Sequence, residues 1–231
     1  AFNDCDEVED KPSVVFAYTI KGWHLPIAGD KRYHSAQISK KQIDELRNSV
    51  GLSEVNEWSK FEPGSAEDAL CVSRGESLKR VPNRAEIAAE FPHATGIAPK
   101  GFSSSQEVFG RVLTEISRNE AIRPYLVTTA PDVATSTNLG GFINRHGIFN
   151  KDVKREWNDN SIQKWIESPK GQHIELGISE MNLFTLLGQL GISGDISDQP
   201  LIPIGTVYDP FVLRGLDAFI YSVYSGAKFI V

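Results

Sequence analysis

The chain has 231 residues, of which 40% are hydrophobic and 23% are charged, and its formal net charge is −6. The length allows one or two domains, and the composition excludes a disordered or collagen-like protein. The acidic balance argues against nucleic acid as a partner, and no apolar run reaches the roughly 20 residues that a membrane span requires.

The N-terminal part of the chain predicts a strand, a loop and a helix in that order. The β-branched and aromatic run at 13–20 is typical of a strand that is buried on both faces. A loop punctuated by glycine and proline follows at 21–30. Ser39 and Gln42 have the spacing of a capping box, so we expect a helix to begin there and to end before Gly51.

The segment 53–104 changes character, because prolines and scattered polar residues interrupt every long periodicity. It contains too many aromatic residues for a free linker. We therefore expect an ordered connector with one short helix at 84–90. The domains on either side of it would be 1–52 and 105–231.

From residue 105 onward, helices and strands alternate. Helices are predicted at 108–116, at 180–190 and from Pro210, with Asp209 as the cap of the last one. Strands are predicted at 125–129, 172–176, 201–204 and 228–231. Between the first two strands, a loop with some helix near 162–166 covers 138–171. This alternation predicts right-handed crossovers and a mainly parallel sheet. The fold class is therefore α/β, with helices on both faces of the sheet.

In an open parallel sheet, ligands bind beyond the C-terminal ends of the strands. Unusual residues occupy four predicted strand-to-helix turns: His24 and His34 on the first, Asp132 on the second, Glu180 on the third, and Tyr208 and Phe211 on the fourth. Each residue alone has an ordinary structural explanation, such as a turn cap or a favourable helix dipole. Because all four turns meet at one edge, together they predict a ligand site whose ligand stays open.

Other chemistries lack their motifs. Gly140 and Gly141 do not form the glycine pattern of a nucleotide-binding loop, and no G-x-S-x-G elbow occurs. The five histidines lack metal-ligand spacing, so we predict no metal ligand in this chain. Cys5 and Cys71 exclude a disulfide scaffold, so we expect free thiols and a cytoplasmic location.

Four segments of the sequence, taken together, resemble one family of enzymes. They are SVVFAYTIKGW with the following LPIAG and HSA (13–36), PDVATSTNLGG (131–141), GQHIELGISEMN (171–182) and PIGTVYDPF (203–211). In this order they are similar to thiamine-diphosphate-dependent enzymes of the transketolase type, and most similar to the decarboxylating first component of homodimeric pyruvate dehydrogenases. The resemblance covers most of the chain outside 53–104 and implies a thiamine-diphosphate-binding fold.

The resemblance implies a role for each candidate residue. Glu180 matches the catalytic glutamate that hydrogen-bonds the pyrimidine N1′ of thiamine diphosphate, and such a carboxyl should be buried among apolar neighbours such as Leu176 and Ile178. Tyr208 and Phe211 match aromatic residues that pack around the pyrimidine. Asp132 matches an active-site acid. His34 matches a mobile-loop histidine that faces the substrate and the lipoyl group.

The sequence also departs from the family pattern. His24 and Asp30 stand where glycine and histidine are expected, which leaves the substrate contacts of this loop open. The family's motif for Mg²⁺ and diphosphate does not occur, so we expect those ligands outside this chain. Residues 1–52 would be the tail of the diphosphate-binding domain, 53–104 an inter-domain connector, and 105–231 an incomplete pyrimidine-binding domain, which makes the chain an internal fragment.

The function implied by the resemblance is decarboxylation of a 2-oxo acid, pyruvate, with reductive acylation of a lipoyl carrier. A second subunit and a lipoyl acyltransferase would be the partners. The first alternative is a transketolase, which needs several basic residues to hold a sugar phosphate; the turns of Asp132 and Glu180 carry none. The second alternative is a non-catalytic fragment that lacks the diphosphate and Mg²⁺ site.

Overall fold

The computed structural model describes residues 1–79, 87–99, 101–152 and 165–231. The chain divides into two compact units, Ala1–Lys79 and Arg80–Val231. Both cysteines are free thiols, as expected. Within the described ranges, no helix is long and apolar enough to cross a bilayer.

The first unit is helical. Its helices are α1 (Phe2–Asp6), α2 (Lys40–Ser49) and α3 (Ala66–Ser77). The predicted start of α2 is confirmed, since Ser39 N donates to Gln42 Oε1 at 2.9 Å and Gln42 N donates to Ser39 Oγ at 3.3 Å. Its predicted stop is also confirmed, because Gly51 adopts the left-handed conformation, with φ +73°.

The predicted strand at 13–20 does not form. These residues are irregular and exposed, and Tyr18 is 100% exposed. The first unit, which is described throughout Ala1–Lys79, contains no strand that could take up their backbone hydrogen bonds. A β-branched run without such a neighbour has no ladder to join, so the expectation of a strand buried on both faces is wrong.

Helix α3 lies inside the segment predicted as a connector, at a position where no helix was predicted. Its first turn is capped because Asp68 N donates to Ser65 Oγ at 3.1 Å. Of the helix predicted at 84–90, the part at 84–86 lies outside the described residues, and the part at 87–90 is irregular.

The described residues of the second unit form a sheet of five strands. They are β1 (Leu126–Ala130), β2 (Ile148–Phe149), β3 (Glu167–Ser168), β4 (His173–Glu175) and β5 (Ile202–Gly205). The strand order is β3-β2-β4-β1-β5, and every pairing is parallel. The predicted parallel sheet is thus confirmed. The strand predicted at 228–231 contributes only a single parallel bridge, Ile204 with Ile230.

Helices precede, connect and follow these strands. They are α4 (Ser105–Ile116), α5 (Gly140–His146), α6 (Glu180–Gly191), α7 (Ser193–Ser197) and α8 (Leu216–Tyr224), with 3₁₀ turns at Arg123–Tyr125 and Asp209–Gly215. The predicted helices at 108–116 and 180–190 are confirmed. Asp209 is not a cap, because no side-chain capping bond forms there and a 3₁₀ turn precedes α8. The short helix predicted near 162–166 falls mostly outside the described residues.

Two apolar clusters lie on opposite faces of the sheet. The first joins α4 and α5 to the sheet through Leu113, Leu126, Leu139, Phe142, Ile143 and Ile204. The second is built by Leu183, Phe184 and Leu187 of α6, with Val212, Ala218 and Phe219 packed against them. Ile204 and Gly205 are neighbours on β5 and point to opposite faces; a Cβ on Gly205 would lie 2.6 Å from Leu187 Cδ1. The α/β fold class with helices on both faces is therefore confirmed.

Candidate active site

The C-terminal edge of the sheet gathers three of the four predicted turns. Strands β1, β4 and β5 run side by side, with Thr128 opposite His173 and Thr129 opposite Gly205. The segments that leave these strands therefore begin at the same edge. They carry Asp132, Glu180 and Tyr208, and Phe211 follows in the 3₁₀ turn.

Glu180 is the first residue of α6 and is only 6% exposed. The expected burial of this carboxyl is thus confirmed. Ile178 does not shield it, since Ile178 is 77% exposed, and that part of the expectation is wrong. Leu176, the other expected neighbour, packs against the α6 cluster. A carboxylate at the first turn of a helix is favoured by the helix dipole.

Arg214 contacts two of the three residues that the resemblance assigns to binding the pyrimidine. Its Nη1 donates to Glu180 Oε1 at 3.3 Å, and its Cζ lies 3.9 Å from the centre of the Phe211 ring. The sequence analysis placed no basic residue near Glu180, and the fold corrects this by bringing one from 34 positions later in the chain. A lone arginine at the end of a 3₁₀ turn gives no local signal of this pairing.

The segment after β1 is fastened to the segment after β5. Tyr208 Oη donates to Ser136 Oγ at 2.5 Å, and the buried hydroxyls of Thr137 and Thr206 lie 2.7 Å apart. The rings of Tyr208 and Phe211 are 5.9 Å apart, centre to centre. The two aromatic residues therefore form one wall of the edge, anchored to the loop that carries Asp132.

Asp132 is exposed and has a left-handed backbone, with φ +63°. Its N–H donates to Glu175 Oε1 at 2.9 Å. Glu175 Oε2 lies 3.1 Å from Nε2 of the fully buried His173, whose Nδ1 lies 2.9 Å from Thr128 Oγ1. This chain of contacts was not predicted from the sequence, although a histidine and a glutamate two positions apart on a strand share one face.

His34 lies in the first unit and is exposed, with its Nδ1 3.3 Å from Lys21 Nζ. Near it, the two departures from the family pattern have local consequences. His24 holds φ +67°, a conformation that glycine adopts more readily. The Asp30 carboxylate accepts a hydrogen bond from Arg32 N at 2.7 Å, and this bond together with the Arg32 guanidinium lowers the pKa of Asp30.

A groove of about 730 Å³ lies between α4 and α5. Two arginines line it, and both are paired with glutamates of α4: Arg111 with Glu107 at 2.5 Å, and Arg118 with Glu115 at 3.2 Å. Within the described ranges, no group of three or more His, Cys, Asp or Glu side chains is arranged to hold a metal. The buried carboxylate and the aromatic wall therefore remain the most distinctive chemical features.

Known proteins are similar to this chain. No family model matches it. The chain is 24% identical over 232 residues to the pyruvate dehydrogenase E1 component of Escherichia coli (strain K12), 23% identical over 232 residues to that of Pseudomonas aeruginosa, and 25% identical over 235 residues to that of Mycolicibacterium smegmatis. Each match covers 91% of this chain and 25–26% of the relative, so the chain spans about a quarter of the length of these curated relatives. The chain is thus related, at low identity, to a segment of pyruvate dehydrogenase E1 components, as its four motif segments predicted.

Proposed function

We propose that this chain supplies the pyrimidine-binding part of a thiamine-diphosphate-dependent 2-oxo acid dehydrogenase. The observation that carries the proposal is the buried carboxylate of Glu180, at the start of α6 and beside the aromatic wall. The similarity to pyruvate dehydrogenase E1 components supports it. In this proposal residues 105–231 bind the pyrimidine, 53–104 connect the domains, and 1–52 end the diphosphate-binding domain.

The residues at the sheet edge fit an aminopyrimidine. That ring is planar, and when its nitrogen N1′ shares the proton of a carboxyl group it carries an N–H there, so it suits Glu180 beside an aromatic face. The guanidinium of Arg214 has the same two properties, and it contacts both Glu180 and Phe211. A planar nitrogen-rich group is therefore accommodated by these two side chains.

When bound, thiamine diphosphate would supply the electron sink for decarboxylation. Glu180 would hold the ring nitrogen N1′ by a hydrogen bond, and its burial keeps water from competing for that bond. Phe211 and Tyr208 would orient the ring by packing. Asp132 would act as an acid near the substrate, and His34 would face the substrate and the lipoyl group.

The complete enzyme would act on pyruvate and pass the acetyl unit to a lipoyl acyltransferase. We propose that it is a homodimer whose Mg²⁺ and diphosphate ligands lie outside this chain. Because the chain spans about a quarter of its relatives' length, we expect the isolated chain to bind thiamine diphosphate poorly and to be inactive. Calorimetry of the isolated chain with thiamine diphosphate and Mg²⁺ tests this; micromolar, Mg²⁺-dependent binding would contradict it.

Hydrogen–deuterium exchange at the thiazolium carbon tests the role of Glu180. In the complete protein that contains this sequence, Glu180→Ala should slow exchange by about 100-fold or more, the size typical of a lost acid–base contribution. Glu120→Gln, at an exposed position of the same unit, is the matched control and should keep the wild-type rate. Wild-type exchange in Glu180→Ala would refute the assignment.

Substrate assays separate the proposal from the transketolase alternative. The complete protein should decarboxylate pyruvate with a lipoyl acceptor. Transfer of two-carbon units from a ketose phosphate, without turnover of pyruvate, would favour the transketolase.

A further inference from the structure

Glu175 joins the buried sheet to the turn that carries Asp132. Its side chain points to the same face of β4 as His173, two positions earlier. Its two carboxylate oxygens have different partners: Oε1 accepts from Asp132 N at 2.9 Å, and Oε2 lies 3.1 Å from His173 Nε2.

With an ionised Glu175 carboxylate and a neutral His173 ring, these contacts have one consistent set of proton positions. An ionised carboxylate only accepts, so His173 must donate from Nε2. The neutral ring then accepts at Nδ1, and the Thr128 hydroxyl, 2.9 Å away, donates to it. Each polar side-chain atom of Thr128, His173 and Glu175 that takes part in these contacts then has a hydrogen-bond partner.

The arrangement has the composition of a hydrolytic triad but cannot act as one. Thr128 and His173 are both fully buried, so the threonine oxygen cannot reach a substrate. The exposed end of the chain of contacts is the backbone of Asp132, which holds φ +63°. A residue with a Cβ adopts this conformation at a cost, and a charge-assisted hydrogen bond to its N–H stabilises it.

We propose that Glu175, oriented by His173, is a positioning residue that sets the backbone of Asp132 at the candidate active site. The catalytic consequence rests on the proposed function, in which Asp132 is the active-site acid. The structural part of the proposal does not rest on that function. It concerns only the contacts that join Thr128, His173, Glu175 and Asp132.

The structural part is tested in the 231-residue chain by Glu175→Leu, which removes both acceptors, and Glu175→Gln, which keeps one. Amide exchange at Asp132 should accelerate about tenfold or more in Glu175→Leu and stay near the wild-type rate in Glu175→Gln. Glu120→Leu is the control and should not change it. Unchanged exchange at Asp132 in folded Glu175→Leu would overturn the proposal.

The His173 ring gives a signature that a general loss of stability would not produce. A glutamine amide can accept from Asp132 N and donate to His173 Nε2, which forces the ring proton to Nδ1. Nitrogen NMR of the ring should therefore show Nε2–H in the wild type and Nδ1–H in Glu175→Gln. A doubly protonated ring, or the same tautomer in both proteins, would refute the proposed arrangement.

The catalytic part is tested in the complete enzyme with pyruvate. Glu175→Leu should lower kcat by about tenfold or more with KM within about twofold, because small displacements of a reacting group are costly, and Glu175→Gln should restore most of kcat. Wild-type kcat in Glu175→Leu would overturn the catalytic part. A wild-type enzyme without pyruvate turnover would instead refute the proposed function and leave the exchange and tautomer results as they stand.

Discussion

Arg214 and Glu180 form an ion pair at the C-terminal edge of the sheet, with Nη1 3.3 Å from Oε1. The carboxylate is buried, whereas the arginine side chain is 54% exposed. The same guanidinium covers the ring of Phe211. Since Glu180 and Phe211 are proposed to hold the pyrimidine, Arg214 must leave at least one of them before that ring binds.

Removing Arg214 should therefore tighten cofactor binding. A half-exposed ion pair and a cation–π contact together contribute about 1 kcal/mol, so Arg214→Ala should lower the Kd of thiamine diphosphate about fivefold. Calorimetry of the complete protein with Mg²⁺ measures this. Arg118→Ala breaks a comparable exposed ion pair with Glu115 and should leave the Kd unchanged. Weaker binding in Arg214→Ala would mean that Arg214 helps to hold the cofactor.

The left-handed backbone of Asp132 predicts that replacing this residue with glycine maintains stability but impairs activity. Because glycine adopts φ +63° without strain, Asp132→Gly should keep or raise the free energy of unfolding, whereas Asp132→Ala should lower it by about 1 kcal/mol or more. Both should impair pyruvate turnover if Asp132 is the acid. Asp198 is the matched control, with φ +55° at the end of α7. In urea unfolding, Asp198→Gly should likewise be more stable than Asp198→Ala, and both variants should keep the wild-type turnover of pyruvate. Equal stability of Asp132→Gly and Asp132→Ala would contradict the strain argument.

The features that were predicted best from the sequence are those set by residues close together in the chain. Ser39 and Gln42 cap α2, and Glu180 begins α6 directly after a strand and a turn, so local spacing alone locates both. Because parallel strands end at one edge, the meeting of Asp132, Glu180 and Tyr208 also followed from the alternation of strands and helices.

What the sequence did not predict depends on distant partners. The run at 13–20 has strand propensity, but a strand forms only beside another strand. Helix α5 begins with glycines that were interpreted as a loop, whereas Gly141 serves close packing: a Cβ there would lie 2.6 Å from Thr114 Oγ1. Arg214 and His173 likewise gain their roles from contacts with residues 34 and 45 positions away, which no local pattern reveals.

Gly188 tests the packing that supports Glu180. It lies on α6, where a Cβ would come within 2.2 Å of Ser222 Oγ on α8. Gly188→Ala should therefore destabilise the chain by about 1–3 kcal/mol through overpacking. Gly140→Ala is the control, since nothing lies within 4 Å of its Cβ position, and it should be neutral or slightly stabilising. Urea unfolding measures both; equal midpoints would contradict the close α6–α8 contact.

The lowered pKa of His146 should make the stability of the chain depend on pH. Burial, followed by the charges of Arg145 and Arg123, lowers the pKa of His146, so the folded chain binds this proton less readily than the unfolded chain. The stabilisation is fully present above the unfolded value of about 6.5 and is lost as the pH falls below it toward the lowered pKa. The urea midpoint of the wild type should therefore fall between about pH 7 and pH 5.5, and His146→Leu, which cannot titrate, should show a smaller fall. His93→Leu changes an exposed histidine and should follow the wild type; parallel pH profiles for wild type and His146→Leu would show that this histidine does not set the dependence.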